Sequence, residues 1–297
     1  MGGREGERGF TLIELSIVLV IIGLIVGGVL IGQTLISAAG VRATISQIEK
    51  YNTAATTFRE KYGYLPGDIP AGPAAQFGFI ARGTGPGQGD GNGLIEGGGG
   101  TNYGGLGGAS GEQLVFWVDL NTAHLISGGF SAANFSSSPG TTATIAPYIP
   151  PAKLGGGNYI YVTSGGWPDQ SGTNSNGTNY FSLGVVSIIG TAGSCTSCVQ
   201  GNSGLSVSQA VAIDTKIDDG MPLTGNVLAA YVGNNEWIWP AVGANQAPPS
   251  VGYTVVPSAS TCFDNGGNTN NKMQYSVEVS NGANVTCALT FKMQAGD

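Results

Sequence analysis

The feature that most constrains this chain is a long apolar stretch close to its amino terminus. Between Glu14 and Arg42 lie 27 consecutive residues without a charge, and most of them are Leu, Ile or Val. About 20 such residues cross the hydrocarbon core of a bilayer as a helix. The nine residues that precede Phe10 carry Arg4 and Arg8, so the positive-inside bias keeps this short end in the cytoplasm and exports the rest. The sequence predicts a single membrane-spanning helix.

One acidic residue stands at the cytoplasmic end of this helix. A carboxylate such as that of Glu14 costs on the order of a few kcal/mol in an apolar environment unless a donor or a cation pairs with it. An intramembrane acid is therefore a functional candidate, and we expect Glu14 to have a cationic partner.

The residues around Glu14 resemble the processing site of type IV prepilins and of the pseudopilins of type II secretion. They read GFTLIEL, starting at Gly9. In that family a membrane-embedded aspartyl peptidase, the prepilin peptidase, cuts after the glycine and methylates the new amino terminus. The resemblance places the cut between Gly9 and Phe10. It also implies the missing cation, since the freed amine of Phe10 in one subunit would pair with Glu14 of a neighbour as a helical filament grows.

Two other interpretations of the apolar stretch are weaker. A secretory signal peptide cut near residues 37–39 would need an apolar core of roughly 7 to 15 residues, whereas the run from Leu15 to Ile36 has 22. A plain single-pass anchor on an enzyme or receptor leaves Glu14 without a purpose. Neither interpretation explains the Gly9-Phe10 pair.

The periodicity changes after residue 40, where apolar residues begin to recur at spacings of three and four with charged residues between them. This pattern predicts an amphipathic helix over 41–62 that continues the membrane helix, giving one element of ~50 residues and ~75 Å. The resemblance implies an α+β pilin-like fold in which this long amino-terminal transmembrane helix packs against a carboxy-terminal antiparallel sheet. The divisions we expect are a leader, 1–9, a transmembrane half, 10–40, an amphipathic half, 41–62, and a globular head, 63–297.

The composition of the head restricts its functions. After Lys61 there are 13 acidic and five basic residues, a net charge of −8, which repels nucleic acid phosphates, so we expect no nucleic acid partner. Charged residues are 10% of the chain and Gly contributes 52 of 297, which suits irregular loops over β-structure. With one histidine, no paired carboxylates on a regular element and no phosphate loop, we expect no enzymatic activity.

Local signals outline the elements of the head. A glycine-rich segment, 67–111, predicts a long surface loop, and alternating apolar residues around Asn281-Gly282 predict a carboxy-terminal hairpin, 273–293. Two capping boxes and two runs rich in Tyr, Val and Ile predict further elements. These are a helix from Ser110 to about Ile126, strands over 158–163 and 180–189, and a helix from Ser206 to about Asp218.

One segment of the glycine-rich loop has the composition of a calcium loop. It does not fit an EF-hand, because Gln88 and Gly99 stand where the first and last acids should be. Two interpretations remain open, a solvated turn and a looser calcium site built from oxygens of Asp90, Asn92 and Glu96. The resemblance makes structural calcium a candidate cofactor, since some pseudopilins hold it.

The four cysteines, Cys195, Cys198, Cys262 and Cys287, lie in the exported part and are even in number, as in disulfide-bonded proteins of oxidising compartments. Three pairings are open from the spacing alone. The resemblance favours Cys262 with Cys287, which is similar to the disulfide that holds the carboxy-terminal region of many pilins, and leaves Cys195 to pair with Cys198. The flanking glycines and serines of Cys195-Thr-Ser-Cys198 do not favour a thioredoxin-like redox pair.

The leading functional hypothesis is a structural subunit of a type IV pilus or of a type II secretion pseudopilus. The resemblance implies a place in the bacterial inner membrane with the head in the periplasm, and a filament in the periplasm or at the cell surface after assembly. It implies three partners: other pilin or pseudopilin subunits in a homo- or hetero-filament, the prepilin peptidase, and an inner-membrane assembly platform. The rival hypothesis is an adhesin or binding module displayed through a prepilin-like anchor. Pilus or pseudopilus, and major or minor subunit, remain open.

Overall fold

The dominant element of the computed structural model is α1, one uninterrupted helix, Leu12–Tyr62, of 51 residues. Thr11 caps its amino end, and Gly63 ends it in the left-handed conformation at φ 81°, where the Gly63 N–H donates to the carbonyl of Arg59. Only glycine adopts this conformation without strain. The prediction of a single helix through both the apolar and the amphipathic segments is confirmed.

The head consists of shorter helices and strands, and both contribute side chains to its core. The structure describes residues 11–83, 85, 87–97, 111–135, 144–164, 177–192, 195–229, 231–232, 238–239 and 254–296. The helices that follow α1 are α2 (Ala71–Gln76), α3 (Glu112–Thr122) and α4 (Val207–Ile217), with 3₁₀ turns at Ser280–Gly282 and Gln294–Gly296. The strands are β1 (Asn158–Ser164), β2 (Asn179–Ala192), β3 (Cys195–Asn202), β4 (Leu205–Ser206), β5 (Val227–Ala229), β6 (Tyr231–Val232), β7 (Ile238–Trp239), β8 (Phe263–Asp264), β9 (Gln274–Tyr275), β10 (Val285–Cys287) and β11 (Leu289–Lys292).

The main sheet is antiparallel and has the order β1-β2-β11-β5, with β3 paired to the second half of β2. Asn158 pairs with Val185 at one end of the β1–β2 ladder, and Ser164 pairs with Asn179 at the other. The long α1 and antiparallel sheets in the carboxy-terminal part make an α+β, pilin-like arrangement, as the sequence predicts.

The second half of α1 packs into the head through its apolar stripe. Its buried residues are Val41, Thr44, Ile45, Ile48, Tyr51, Ala54, Ala55 and Phe58. The Tyr51 ring lies 4.9 Å from the ring of Trp117 on α3 and 6.4 Å from that of Phe181 on β2. Tyr51 therefore joins α1 to both a helix and the sheet, and edge contacts between aromatic rings add to the area they bury.

The glycine-rich segment differs from its prediction. Ile69 and Ile95 are fully buried, and α2 forms inside the segment. The expectation of a long surface loop over 67–111 is therefore wrong for the part of it that the structure describes, 67–97 with gaps at 84 and 86. The physical reason is a set of long-range polar contacts, described below, that holds this segment against α3.

The predicted carboxy-terminal hairpin, 273–293, is also wrong. β9 pairs with β8, β10 pairs with β4, and β11 lies between β2 and β5. Asn281 and Gly282 do lie in a turn, but the residues before it do not pair with those after it. Alternating apolar residues identify strands and a turn, and they carry no information on which distant strand completes the ladder.

The two helices predicted from capping boxes have different outcomes. α4 begins with the predicted box, since the Ser206 hydroxyl accepts from the Gln209 N–H and the Gln209 side chain accepts from the Ser206 N–H. α3 instead begins after Gly111, at φ 80°, with no side-chain cap, and ends at Thr122 rather than near Ile126. Ser110 lies outside the described residues.

Candidate functional site

The amino terminus of α1 carries a capping box that involves the intramembrane acid. The Thr11 hydroxyl accepts from the Glu14 N–H at 3.3 Å. In return the Thr11 N–H and the Thr11 hydroxyl each donate to Glu14 Oε2 at 2.8 Å. The carboxylate thus has two donors inside its own chain, although the sequence analysis expected only a neighbour's amine. The Thr-x-x-Glu spacing is the signal that could have predicted this.

The predicted processing residues precede this box. Gly9 and Phe10 lie outside the described residues, so the cleavage position and the pairing of the Phe10 amine with Glu14 stay predictions. Glu14 itself is exposed in the single subunit, at the point where a neighbouring subunit could reach it.

The first half of α1 has no cover from the described part of the head. No residue from 12 to 40 is buried, and the large apolar side chains between Leu12 and Ile36 are more than half exposed. An 18-residue window of the helix reaches a mean hydropathy of 2.9, enough to cross a membrane by length and composition. An apolar surface of this size is stable only in lipid or against other proteins.

Among the described residues, contacts between the head and α1 run from Ser37 to the carboxyl end of the helix. Several of these contacts are hydrogen bonds from side chains of α1 to backbone groups of the head, which fix the position of the head along the helix. In order along α1, Ser37 bonds to Gln209, Gly40 packs on Leu154, Gln47 bonds to Pro151 and Lys153, Asn52 to Gln294, and Arg59 to Ala295.

A buried ion pair fixes the glycine-rich segment to α3. Arg82 donates to Asp119 Oδ2 at 2.7 Å, and both side chains are fully buried. The Gly67 N–H donates to the same oxygen at 2.7 Å. Gly67 has φ +87°, and a Cβ there would lie 2.5 Å from the carbonyl oxygen of Glu112, so this approach requires glycine. No local pattern in the sequence predicts this pair, because its residues lie 37 positions apart.

Beside this pair, two buried carboxylates lie close together and accept from backbone N–H groups. Asp68 accepts from Gly91 at 2.7 Å and from Gly93 at 2.8 Å. Glu112 accepts from Gly89 at 2.8 Å and from Glu96 at 2.9 Å. Oxygens of Asp68, Glu112 and the exposed Asp90 lie within 4.8 Å of one another.

The proximity of these acids affects their protonation. Burial and, to a smaller extent, the nearby charge of Asp90 raise the pKa of Asp68 to about 7, against the lowering effect of its backbone hydrogen bonds. Burial and the charge of Asp68 raise the pKa of Glu112 well above its ordinary value. A group of carboxylates held in this way has the donor chemistry that a hard cation such as Ca²⁺ prefers.

The predicted calcium ligands occupy the same turn but make a different arrangement. The Asn92 amide nitrogen donates to Asp90 at 3.2 Å and to Glu96 at 3.1 Å. The Asn92 side-chain oxygen accepts from the Leu94 N–H at 2.7 Å and so belongs to the turn. The Asn92 amide group thus links Asp90 and Glu96 by donating to both carboxylates, and the three side chains are not arranged around a common ligand position. Calcium binding stays a prediction.

The carboxy-terminal disulfide forms as the resemblance implies. Cys262 and Cys287 are bonded, with their Cα atoms 5.0 Å apart. The bond joins the residue just before β8 to the last residue of β10, across a sequence separation of 25. For Cys195 and Cys198 the structure describes the backbone of β3 but not the side chains, so their pairing stays a prediction.

The fold and this arrangement define a class of protein. A single-pass apolar helix exposes its first half and carries an α+β head on its second half, with an acid at the point where the exposed half begins. This is the arrangement of a membrane-anchored, pilin-like protein.

Comparison with known proteins identifies the amino-terminal segment more closely. Residues 5–30 match the model of the prokaryotic N-terminal methylation motif, which is the prepilin-type signature of type IV pilins and pseudopilins. A search of the curated proteins gave no match, and a search of the solved structures gave none. The chain therefore carries the prepilin-type signature over residues 5–30 and has a pilin-like α+β arrangement.

Proposed function

We propose that this protein is a structural subunit of a type IV pilus or of a type II secretion pseudopilus, cut between Gly9 and Phe10 and assembled through α1. The observation that carries this proposal is that the methylation motif leads directly into a half-helix that the described head leaves uncovered. A half-helix of this kind can lie in lipid before assembly and among its copies afterwards.

The geometry at Glu14 supports an electrostatic step in assembly. Among the described residues, the donors to the carboxylate both reach Oε2, so Oε1 is open to an additional donor from another chain. The amine that cleavage frees on Phe10 of a neighbour is such a donor. Opposite charges attract far more strongly in a low-dielectric environment than in water. Each incoming subunit would therefore be held at the register in which its amine meets the Glu14 carboxylate.

The topology follows from the charges that flank α1. In this proposal Arg4 and Arg8 keep the leader in the cytoplasm of a bacterial cell, where the prepilin peptidase removes it, and the head lies in the periplasm. The partners are other pilin or pseudopilin subunits and an inner-membrane assembly platform. The head has a structural role, and catalysis is not part of its function.

Mass spectrometry of the mature amino terminus tests the processing step. Protein purified from membranes of cells that contain the peptidase should begin at an N-methylated Phe10. A chain that begins at Met1, or near residue 40, would contradict the proposal. A Gly9→Ala variant provides the matched control, because it should keep the leader and still insert in the membrane.

Substitution of Glu14 separates assembly from simple display. Glu14→Ala should insert normally and be processed, but should be lost from filaments, because the incoming amine then has no carboxylate. Ser16→Ala is the matched control, since the Ser16 hydroxyl bonds only within its own turn, to the Ile13 carbonyl at 2.9 Å. If Glu14→Ala reached the cell surface as well as the control did, the head would be a binding module displayed through its anchor.

A further inference from the structure

We propose that the end of the head nearest the membrane is a lipid-contacting surface that rests on the phospholipid headgroups. We define this basal surface as the first turn of α4, 206–209, together with the segment 280–285. The inference depends on the membrane anchoring of α1 and not on filament assembly.

The level of the bilayer surface can be located along α1. The apolar run begins at Leu15, and Ser37 lies 22 residues further on. At 1.5 Å per residue this is ~33 Å, against a hydrocarbon core of ~30 Å. The headgroup layer adds ~5–7 Å on each side. Ser37 therefore lies within the outer headgroup layer, and so does whatever the head places beside it.

Hydrogen bonds link the basal surface to this level. Gln209 Nε2 donates to Ser37 Oγ at 3.2 Å, which places the first turn of α4 beside Ser37. The Ser208 hydroxyl donates to the Gly282 carbonyl at 3.0 Å. Val285 pairs with Ser206 across the β10–β4 ladder. Both parts of the basal surface are therefore fixed at the end of the head that meets α1 first.

The direction of the sheet supports this placement. Phe181 on β2 lies beside Tyr51 of α1, whereas Asn158, which pairs with Val185, follows shortly after Leu154, which packs on Gly40. β2 thus runs antiparallel to α1, from the free end of the head toward the membrane. Residues 186–192 of β2 continue in the same direction and carry no charge, so this end of the strand reaches the membrane side of the head together with the basal surface.

The chemistry of the basal surface suits a phospholipid layer. The head has a net charge of −8, yet residues 206–209 and 280–285 contain no carboxylate that would repel lipid phosphates. The carboxylate nearest to this surface in the sequence is that of Glu278, which is exposed two residues before Ser280. Ser280, Asn281 and Ala283 are exposed, and Val285 is 60% exposed. Arg42, the first cation after the apolar run, is exposed five residues above Ser37, ~7.5 Å along the helix, within reach of the phosphates.

Photo-crosslinking in a bilayer tests the proposal on the full chain. p-Benzoylphenylalanine is placed at position 283 (Ala283→Bpa), where the residue is exposed and has an ordinary φ of −77°. The matched control is Phe77→Bpa, which keeps an aromatic ring at a position that is 50% exposed. The Phe77 ring makes an edge contact with the ring of Tyr62 at the far end of α1, 25 residues or ~37 Å from Ser37.

The proteins are reconstituted in vesicles of phosphatidylethanolamine and phosphatidylglycerol, irradiated and analysed by mass spectrometry of the labelled peptides. We expect phospholipid adducts at position 283 at least tenfold more often than at position 77. A Val285→Bpa variant should give the same result if the Ala283 variant does not form the Cys262–Cys287 disulfide. Equal adducts at positions 283 and 77, no lipid adduct at 283 and 285, or crosslinks only to a second copy of the chain would each overturn the proposal.

Discussion

The buried ion pair between Arg82 and Asp119 makes the strongest quantitative prediction for the stability of the head. In Arg82→Met the side chain keeps an unbranched apolar stem and loses the guanidinium with its charge. Asp119 is then left as a fully buried carboxylate whose remaining donor, among the described contacts, is the Gly67 N–H. Breaking a buried pair by removing one partner costs about 3–5 kcal/mol, because the other charge stays uncompensated.

The same substitution also removes contacts that do not depend on the ion pair itself. The guanidinium of Arg82 donates to the Ile69 carbonyl at 3.0 Å and lies 5.2 Å from the ring of Phe135. Loss of these contacts adds to the cost, so about 4 kcal/mol is a reasonable central value. In a chain of this size, 1 kcal/mol shifts the melting temperature by about 2–4 °C. We therefore expect a fall of about 10 °C.

The assay is thermal unfolding of the full-length, oxidised protein in detergent, followed by near-ultraviolet circular dichroism. Trp117 reports on the right region, because its ring is buried on α3 and lies 4.9 Å from that of Tyr51. Lys272→Met is the matched control, since Lys272 is exposed. It should change the free energy of unfolding by less than about 0.5 kcal/mol.

A second substitution and a change of pH separate the buried charge from lost packing. In Arg82→Met with Asp119→Asn, an amide replaces the stranded carboxylate and can still accept from Gly67, so the double variant should be more stable than Arg82→Met alone. In the intact pair, burial raises the pKa of Asp119 more than Arg82 lowers it. Without Arg82 this pKa rises further. The single variant should therefore recover stability as the pH falls toward that of an unfolded aspartate, about 4, because protonation then favours the folded state.

Two results would refute this reasoning. The first is an Arg82→Met variant that loses less than about 1 kcal/mol, which would mean that water or another group compensates Asp119. The second is a double variant whose loss of stability equals the sum of the losses in Arg82→Met and in Asp119→Asn. Such additivity is expected of independent sites and not of a charge pair.

Three further predictions concern the acids and the disulfide. In calcium-free buffer the contribution of Asp68 to stability should be complete below about pH 4 and should fall as the pH rises toward 7, because burial raises the pKa of this carboxyl to about 7. Asp68→Asn should weaken this dependence in denaturant titrations without abolishing it, since the pKa of Glu112 is raised as well. Millimolar calcium at pH 7.5 should raise the melting temperature, and Asp90→Asn should remove the increase; a melting temperature unchanged by calcium would exclude the cation. Replacing Cys262 and Cys287 together by Ser should cost about 3.5 kcal/mol, from the entropy of a 25-residue loop, and a loss below about 1 kcal/mol would show that the unfolded chain is already constrained there.

The sequence predicts α1 well because each part of it has its own local signal. An uncharged run indicates the span, and the apolar stripe that begins at Val41 indicates the packed half. Gly63 then ends the helix at the position where the stripe ends. The same locality explains the success with α4, whose capping box lies within four residues.

The failures occur where the fold depends on contacts between distant residues. The segment 67–97 has the composition of a loop, and only the contacts of Arg82 with Asp119 and of Asp68 with the turn at Gly91 make part of it a core element. The carboxy-terminal strands fail for a related reason. Their alternation is visible in the sequence. The position of β11 between β2 and β5 depends on pairing with strands that are distant in the sequence. At Glu14, by contrast, the local Thr-x-x-Glu spacing is sufficient to predict the capping box.

The exposure of α1 also bears on what drives assembly under the proposed function. When the first half of α1 moves from lipid into a filament core, it exchanges one apolar environment for another, so the hydrophobic effect contributes little to the step. Helix packing, contacts between heads and charge pairing must supply the free energy and the register. The surface of α1 between 12 and 36 is mostly aliphatic, with glycines at 23, 27, 28 and 32 and with no charged residue other than Glu14. Packing of such a surface specifies the position along the helix axis less sharply than a charge pair does. Glu14 is the feature of this half that distinguishes one register from the next, since a shift of a single turn, ~5.4 Å, would separate its carboxylate from the neighbour's amine. Removing the Glu14 charge should therefore weaken the choice of register during assembly, and it should affect the apolar attraction between the helices much less.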